Sequence, residues 1–224
     1  MKQEKTKLYI VATPIGNLED ITFRAIEILK QVDFILCEDT RVTKRLLDHY
    51  KIETPTIAYH QHSSLSKTEN IIKLLYQEKN LALVTDAGTP GISDPGNKLI
   101  EKINQAHLDI LIIPIPGPSA LSTLVSVAGI NMQKFIFLGF PPHKKGREKF
   151  FKEVANSKIP IIYYESPYRV LKNLELLKNF CDKKVIIGRE ITKMFEEIIR
   201  GDIEYALKYF ENKKIKGEFT IIVY

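Results

Sequence analysis

The 224-residue chain has no tryptophan, two cysteines and three methionines. No apolar run approaches the roughly 18 residues that a bilayer-spanning helix needs. Each shortage excludes something. Cys37 and Cys181 lie far apart, in or beside apolar segments, and lack the paired spacing of a metal site. They read as reduced thiols of a cytoplasmic protein, and no metal is expected. The strongest apolar stretch, Ile110 to Ile115, is interrupted by Pro114 and reads as a buried strand. The charged start, Met1 to Lys7, runs straight into a short strand, so neither a leader nor a membrane anchor is expected. With aromatic residues at 9% and no tryptophan, no stacking platform of the single-strand-binding kind is expected either. Two phosphate-binding signatures are also missing: no Gly-Lys-Ser/Thr closes a glycine-rich loop, and no G-x-G-x-x-G opens a helix.

What the chain does hold is a dense breaker loop. The apolar run Leu81-Ala82-Leu83-Val84 feeds into Thr85 to Gly96, read TDAGTPGISDPG. Gly88, Gly91 and Gly96 permit dihedrals closed to other residues, and Pro90 and Pro95 fix theirs. Bare backbone groups can then approach a ligand closely, although an ordinary strand-to-helix turn would look similar. Asp94-Pro95 reads as a helix N-cap and first helical position, which would bring ligand-facing groups close to a helix N-terminus. Charge leans the same way as the loop, toward a partner: net charge is +6, with a basic block from His143 to Lys149 and another at Lys213-Lys214-Ile215-Lys216. Such blocks favour an anionic partner or are simply solvated loops.

Short apolar runs alternate with helical patterns, the signature of α/β architecture. Strands are expected at Leu8–Ala12, Phe34–Cys37, Thr56–Tyr59, Leu81–Thr85 and Ile110–Pro114 in a first unit. Asp20 reads as an N-cap before Ile21, Ala25, Ile28 and Leu29, and Ser66 with Glu69 as a capping box before Ile71, Ile72, Leu74 and Leu75. The breaker cluster Pro114-Ile115-Pro116-Gly117-Pro118 places a boundary between residues 1–115 and 116–224. Ser119 then opens a helix that Gly129 ends. Strands at Phe135–Phe140, Ile159–Tyr164, Lys184–Gly188, Glu197–Arg200 and Phe219–Val223, with a helix at Ile203–Phe210, complete a second unit. The expected fold is therefore two α/β domains with a cleft between them.

Several segments carry a resemblance. Ala12-Thr13-Pro14-Ile15-Gly16-Asn17-Leu18-Glu19-Asp20-Ile21-Thr22, Cys37-Glu38-Asp39-Thr40-Arg41 and Asp86 to Gly96 closely resemble the tetrapyrrole methylase superfamily, the class III S-adenosylmethionine-dependent methyltransferases. Pro116-Gly117-Pro118-Ser119-Ala120, Tyr164-Glu165-Ser166-Pro167-Tyr168-Arg169 and Arg189-Glu190-Ile191-Thr192-Lys193 resemble its ribosomal RNA branch. The likeness runs from about Leu8 to the C-terminus. It implies a cofactor cleft between the two domains, S-adenosyl-L-methionine as cofactor, and 2′-O-methylation of a cytidine ribose in the decoding region of small-subunit (16S) ribosomal RNA. The partner would be that RNA or the assembled small subunit, the location cytoplasmic and the chain a homodimer. The fold's other chemistries remain alternatives: a tetrapyrrole precursor or a translation-factor side chain as acceptor, or a non-catalytic RNA-binding factor. Two departures stand out. Many members of the branch continue past the last strand into a small helical domain, whereas this chain ends at Tyr224, which lowers the expected hold on RNA. His60-Gln61-His62-Ser63 also stands where a His/Asn-containing loop is more usual.

Methyl transfer from a sulfonium is an in-line displacement, so donor and acceptor must be held at near-attack distance away from water. The resemblance assigns cofactor contacts to Pro14, Ile15, Gly88, Thr89, Ile92, Asp94, Ser119 and Ala120, with Tyr164, Gly188 and Phe219 on an opposite wall. Ser119 reads equally as a plain helix cap. A ribose hydroxyl must lose its proton, and a carboxylate or an unprotonated lysine would take it. Lys193 with Glu190 is the expected acid/base pair, or else a surface ion pair, with Asp39 or Glu165 as an orienting group. For RNA, Arg41, Lys44 and Arg45 lie at helical spacing, and Arg147 and Arg169 offer bidentate guanidinium groups to phosphates. His62, with His60 and Tyr59, offers stacking or hydrogen bonding to an unpaired base.

Overall fold

The structure, a computed structural model, describes residues 5–60, 63, 65–93 and 97–224. The chain divides into two compact units, Met1–Ser119 and Ala120–Tyr224. The first unit runs β1 (Lys7–Val11), α1 (Phe23–Gln31), β2 (Phe34–Cys37), α2 (Thr40–His49), β3 (Thr56–Ala58), α3 (Leu65–Tyr76), β4 (Leu81–Leu83), α4 (Asn97–Gln105) and β5 (Leu111–Ile115). All five strands are parallel, in the order β3-β2-β4-β1-β5.

The near-continuous apolar strands have a physical cause. Alternate side chains enter two different cores, so both faces of the sheet are covered. Val11, Ile35, Cys37, Ala82 and Val84 pack with Ala25 and Leu29 of α1 and Leu46 and Leu47 of α2. Leu8, Leu36, Leu81 and Leu83 pack with Ile71 and Leu75 of α3 and Leu99 and Ile103 of α4 on the other face. From β1 the chain moves by α1 to β2 on one side. From the adjacent β4 it moves by α4 to β5 on the other. Those opposed crossovers make the carboxyl ends of β1 and β4 a topological switch point, where open α/β sheets bind ligands.

Helix starts differ from the expectation in detail. Asp20 lies in a short 3-10 turn, Leu18–Asp20, and α1 is capped by Thr22, whose side chain accepts from the Ala25 N–H at 3.1 Å. Ser66 and Glu69 are inside α3 rather than at its cap. The Asp94-Pro95 cap lies outside the described residues. Strand ends shift by one to three residues, as terminal residues usually do.

The second unit runs α5 (Ala120–Ser126), β6 (Ile136–Phe137), α6 (Arg147–Asn156), β7 (Ile161–Glu165), α7 (Val170–Lys178), β8 (Lys184–Arg189), β9 (Glu197–Asp202), α8 (Ile203–Glu211) and β10 (Phe219–Val223). Its sheet is mixed, in the order β6-β7-β10-β8-β9, and only β6 and β7 are parallel neighbours. Phe150, Phe151 and Val154 of α6, Val170, Leu174 and Leu177 of α7 and Ile203, Ala206 and Phe210 of α8 all pack on one face, against Tyr163, Ile187, Phe219 and Ile221. The strand at Phe135–Phe140 shrinks to two residues, although Tyr164 N still donates to Gly139 O at 2.9 Å. No helix of the described residues is long and apolar enough to cross a membrane.

Candidate functional site

Three loops of the first unit converge beyond the carboxyl ends of β1, β4 and β5. Thr13 and Gly88 exchange backbone hydrogen bonds at 2.9 and 3.0 Å, forming an isolated antiparallel bridge past the ends of their strands. Thr13 Oγ1 donates to Thr85 O at 3.0 Å, and Thr89 Oγ1 donates to Pro118 O at 3.0 Å. Gly88 has φ +84, and a Cβ there would lie 3.4 Å from Ile15 Cγ2. Only glycine takes that conformation without strain while leaving the surface bare. Gly117 approaches so near to Ala12 that a Cβ would sit 3.0 Å from the alanine Cβ.

The chemistry of these loops is as informative as their contacts. Ala12–Asn17, Thr85–Ser93 and Pro116–Ser119 contain no lysine or arginine and one carboxylate, Asp86. That set leaves a ligand to be read mainly through backbone amides and carbonyls, and it sets no cationic side chain beside a ligand with a cationic centre. Pro14, Ile15, Gly88 and Ser119 are buried, whereas Thr89, Ile92 and Ala120 are half-buried. Ala120 is the first residue of α5, so Ser119 sits directly ahead of that helix. Asp94 lies outside the described residues.

The opposite wall fares differently. The Gly188 position is closed, because a Cβ would meet Ile191 Cδ1 at 2.6 Å and Leu124 Cδ1 at 2.9 Å. The absent side chain leaves space that Ile191 and Leu124 fill, so the Cβ side of Gly188 faces those two side chains. Phe219 is also displaced from its expected role. Its ring is buried in the helix-side core with Phe210, centroids 5.7 Å apart, because a strand residue one step from Thr220 faces the other side. Tyr164 is half-buried between Phe137 and Phe140, at centroid distances of 4.9 and 5.4 Å.

Among the acid/base candidates, Glu165 is corrected outright. It is almost fully buried, pairs with Arg169 Nη2 at 3.0 Å, accepts from Ser166 N at 2.7 Å and is bonded by the Asn173 amide. Its carboxylate ties the start of α7 to β7, with no face left for a substrate. Arg169 is drawn into the same structural cluster: the guanidinium also donates to Ser166 Oγ at 3.2 Å and Pro141 O at 3.0 Å, so each of its three nitrogens holds a partner within the unit. Arg169 is the N-cap residue of α7.

Glu190 and Lys193 are brought together. Lys193 Nζ lies 2.8 Å from Glu190 Oε1 and 2.9 Å from Glu218 Oε2. Burial alone would lower the lysine's pKa, but those two hydrogen bonds outweigh it and raise the group above its ordinary value. Burial would likewise raise Glu190, yet the Lys193 hydrogen bond and the Glu218 N–H bring it below the ordinary carboxylate value. Lys193 is therefore not an unprotonated lysine, and only Glu190 of this pair is in a form that accepts a proton. The loop is strained: Glu190 has φ +50 and Thr192 φ +68, rare for a β-branched residue. Gly217, at φ +88, lies so near that a Cβ would collide with the Glu190 carboxyl. A glycine preceding β10 was not singled out from the sequence, although its place between Lys216 and Glu218 is the available signal.

Asp39 caps α2, accepting from Arg41 N at 2.8 Å and pairing with Arg41 Nη2 at 2.6 Å. The Arg41 side-chain hydrogen bond, chiefly, holds its pKa at about 2. Its backbone N–H donates to Asp86 Oδ1 at 3.1 Å, so the loop after β2 adjoins the loop after β4. Arg41, Lys44 and Arg45 form an exposed stripe opposite buried Thr43, Leu46 and Leu47. Arg41 and Lys44, with Thr54 and Thr56, line an open groove of about 390 Å³. Arg147 opens α6, and His62 lies outside the described residues. Among the described residues no cluster of His, Cys, Asp and Glu fits a metal ion.

A parallel unit with a glycine-lined switch point, followed by a mixed-sheet unit, defines a two-unit α/β protein. Residues 7–206 match the tetrapyrrole (corrin/porphyrin) methylases, and the chain belongs to that family. Within it, the chain is 44% identical over 218 residues to the ribosomal RNA small subunit methyltransferase I of Thermotoga maritima, covering 97% of each chain. It is 43% identical over 224 residues to the protein of the same name from Halalkalibacterium halodurans, covering 99% of this chain and 77% of that one. Among solved structures, a cobalt precorrin-4 methyltransferase superposes with a TM-score of 0.73 at 19% identity, over 97% of this chain and 94% of the other. That last likeness is one of fold alone.

Proposed function

We propose that the chain is an S-adenosylmethionine-dependent ribosomal RNA methyltransferase that methylates the ribose 2′-hydroxyl of one cytidine in the decoding region of the small subunit. The single observation that carries the reading is the 44% identity along 97% of both chains to a ribosomal RNA small subunit methyltransferase I. The corrin and porphyrin relatives share the fold at 13–19% identity and supply no argument about substrate. We place the enzyme in the cytoplasm, where ribosomal RNA is assembled, as a homodimer, which light scattering on the purified chain would measure.

The cofactor's place is at the β1/β4 switch point. Gly88, Thr89, Ile92, Pro14, Ile15 and Ser119 would hold it, with apolar side chains on the adenosine and backbone groups on its polar edges. When bound, S-adenosylmethionine supplies an activated methyl group on a sulfonium, and the protein's task becomes alignment and exclusion of water. No cationic side chain lies in those loops to repel a sulfonium. Glu190 takes the proton released from the ribose hydroxyl. Lys193 keeps that carboxylate ionised and aimed, itself steadied by Glu218. Arg41, Lys44 and Arg45 offer phosphate contacts from α2.

The test is a methylation map. Deleting the gene should remove 2′-O-methylation at one decoding-region cytidine of small-subunit RNA, and the purified chain with S-adenosylmethionine should restore it. An unchanged map rejects the reading. A purely RNA-binding role is rejected in turn if calorimetry shows the chain binding S-adenosylmethionine.

A further inference from the structure

Four loops emerge at one end of the second unit's sheet, and together they combine the two basic blocks with the most exposed apolar side chains of that unit. Because β6, β7 and β8 point the same way and β10 runs against them, the loops after β6, β7 and β8 and the loop entering β10 share an edge. The register confirms it: Phe219 lies opposite both Glu165 and Arg189, the last residues of β7 and β8. In spatial order the four loops carry His143-Lys144-Lys145-Gly146-Arg147, then Ser166-Pro167-Tyr168-Arg169, then Lys214-Ile215-Lys216-Gly217-Glu218, then Glu190 to Glu196. Three strand spacings separate the outermost, about 14 Å. Blocks some 70 residues apart in sequence thus become neighbours.

Most carboxylates at this edge are already answered by a cation, and Glu196 accepts from Thr192 N at 2.6 Å. Glu165 is taken by Arg169, Glu190 and Glu218 by Lys193, and Glu197 by Arg189 and Lys213. Lys144, Lys145, Arg147, Lys214 and Lys216 make no ion pair among the described residues, which leaves the edge with a surplus of positive charge. Between these cations stand side chains that a soluble surface rarely groups: Tyr168 is 93% exposed, Met194 90% and Phe195 72%. Cations alternating with open rings match what an unpaired RNA strand presents, phosphates alternating with bases.

We propose that this edge is the face on which single-stranded RNA lies, with Tyr168 and Phe195 stacking unpaired bases and Lys144, Lys145, Arg147, Lys214 and Lys216 holding the phosphates. The proposal rests on the RNA reading above and assigns it a surface. It also sets a direction, because the strand then passes over Glu190 and Lys193. Arg169 supports that face from beneath, fixing the Tyr168 turn to Pro141 O.

Binding of a fluorescently labelled single-stranded fragment of small-subunit RNA, followed by anisotropy, tests it. Tyr168→Ala and Phe195→Ala should each weaken binding about tenfold, the effect of losing one stacked base, and Tyr168→Phe should restore it. Lys144→Gln with Lys214→Gln should flatten the salt dependence by about two phosphate contacts. Cofactor affinity by calorimetry should match wild type in every variant, which excludes misfolding as the cause. The proposal is overturned if Tyr168→Ala and Phe195→Ala bind RNA as wild type does. It is also overturned if they turn a dimer into a monomer, since the rings would then cover a second copy. The two readings fail separately: RNA bound but no ribose methylated sinks the reaction, whereas methylation with unaffected variants sinks this face alone.

Discussion

The two sheets of this protein end in opposite ways. At the carboxyl end of the first, the loops after β1, β4 and β5 carry glycine and proline, no lysine or arginine, and polar contacts that run to main-chain carbonyls, from backbone N–H groups as between Thr13 and Gly88 and from the hydroxyls of Thr13 and Thr89. At the corresponding edge of the second, side chains do the work: ion pairs fix Glu165, Glu190 and Glu197, and rings and lysines face outward. A small cofactor of constant shape suits a rigid backbone mould, in which few positions tolerate any side chain. A long polyanion suits a broad surface whose individual contacts are weak and many. The contrast predicts that first-unit substitutions affect cofactor affinity, and second-unit substitutions stability or RNA binding.

The largest effect should come from Glu165. Replacing it with alanine leaves the Arg169 guanidinium, 15% exposed, without its buried partner and frees the Asn173 amide. Breaking such a pair costs about 3–5 kcal/mol. Urea unfolding should show that loss while S-adenosylmethionine affinity, measured below the new midpoint, stays put; a loss under about 1 kcal/mol would mean that the pair is not holding β7 to α7.

Next in size is Glu190→Gln. It removes the proposed proton acceptor but keeps the shape, and should lower turnover about a hundredfold with cofactor affinity retained. Its pH behaviour follows from the shifts. Glu190 is depressed, so the pair's stabilising contribution is complete above the ordinary carboxylate value of 4.5 and fades as pH falls through the folded value below it. Lys193 is raised, so its part is complete below 10.5 and fades as pH climbs past the higher folded value. Wild-type melting temperature should not change because of this pair between those limits. A step near neutral pH that Glu190→Gln abolishes would contradict the assignment.

A smaller change tests the first unit. Gly88→Ala forces a side chain onto φ +84 at 3.4 Å from Ile15, at a cost of about 1–2 kcal/mol. Calorimetry should show cofactor affinity falling at least tenfold while RNA anisotropy changes little. Equal losses of both would erase the division of labour between the two sheet ends.

The first unit was the more legible in the sequence. Its central strands β2 and β4 are buried on both faces, so each is an uninterrupted apolar run, and Phe34–Cys37 matches its observed bounds residue for residue. Its loops are legible as well, because glycine and proline announce a backbone-lined surface. The second unit hides more. Gly188 looks like another ligand-facing glycine, but its missing side chain makes way for Leu124 and Ile191, which no local pattern records. Arg169 and Glu165 look like reactive groups because charge is visible in a sequence and burial is not. Tyr168 and Phe195 escape notice for the reverse reason: an aromatic composition of 9% says nothing about which rings remain outside the core.

The smallest predicted effect discriminates most finely between the two faces. Arg41 projects from α2 into solvent and is paired with Asp39, so part of its charge is already answered before any phosphate arrives. Lys144 and Lys214 have no such partner among the described residues. Arg41→Ala should therefore leave the melting temperature nearly unchanged and reduce the salt slope of RNA binding by one contact or less. A loss larger than that of the Lys144/Lys214 double variant would reverse the comparison. It would shift the main hold on RNA to the α2 stripe and its groove, leaving the second unit's edge to present bases to Glu190.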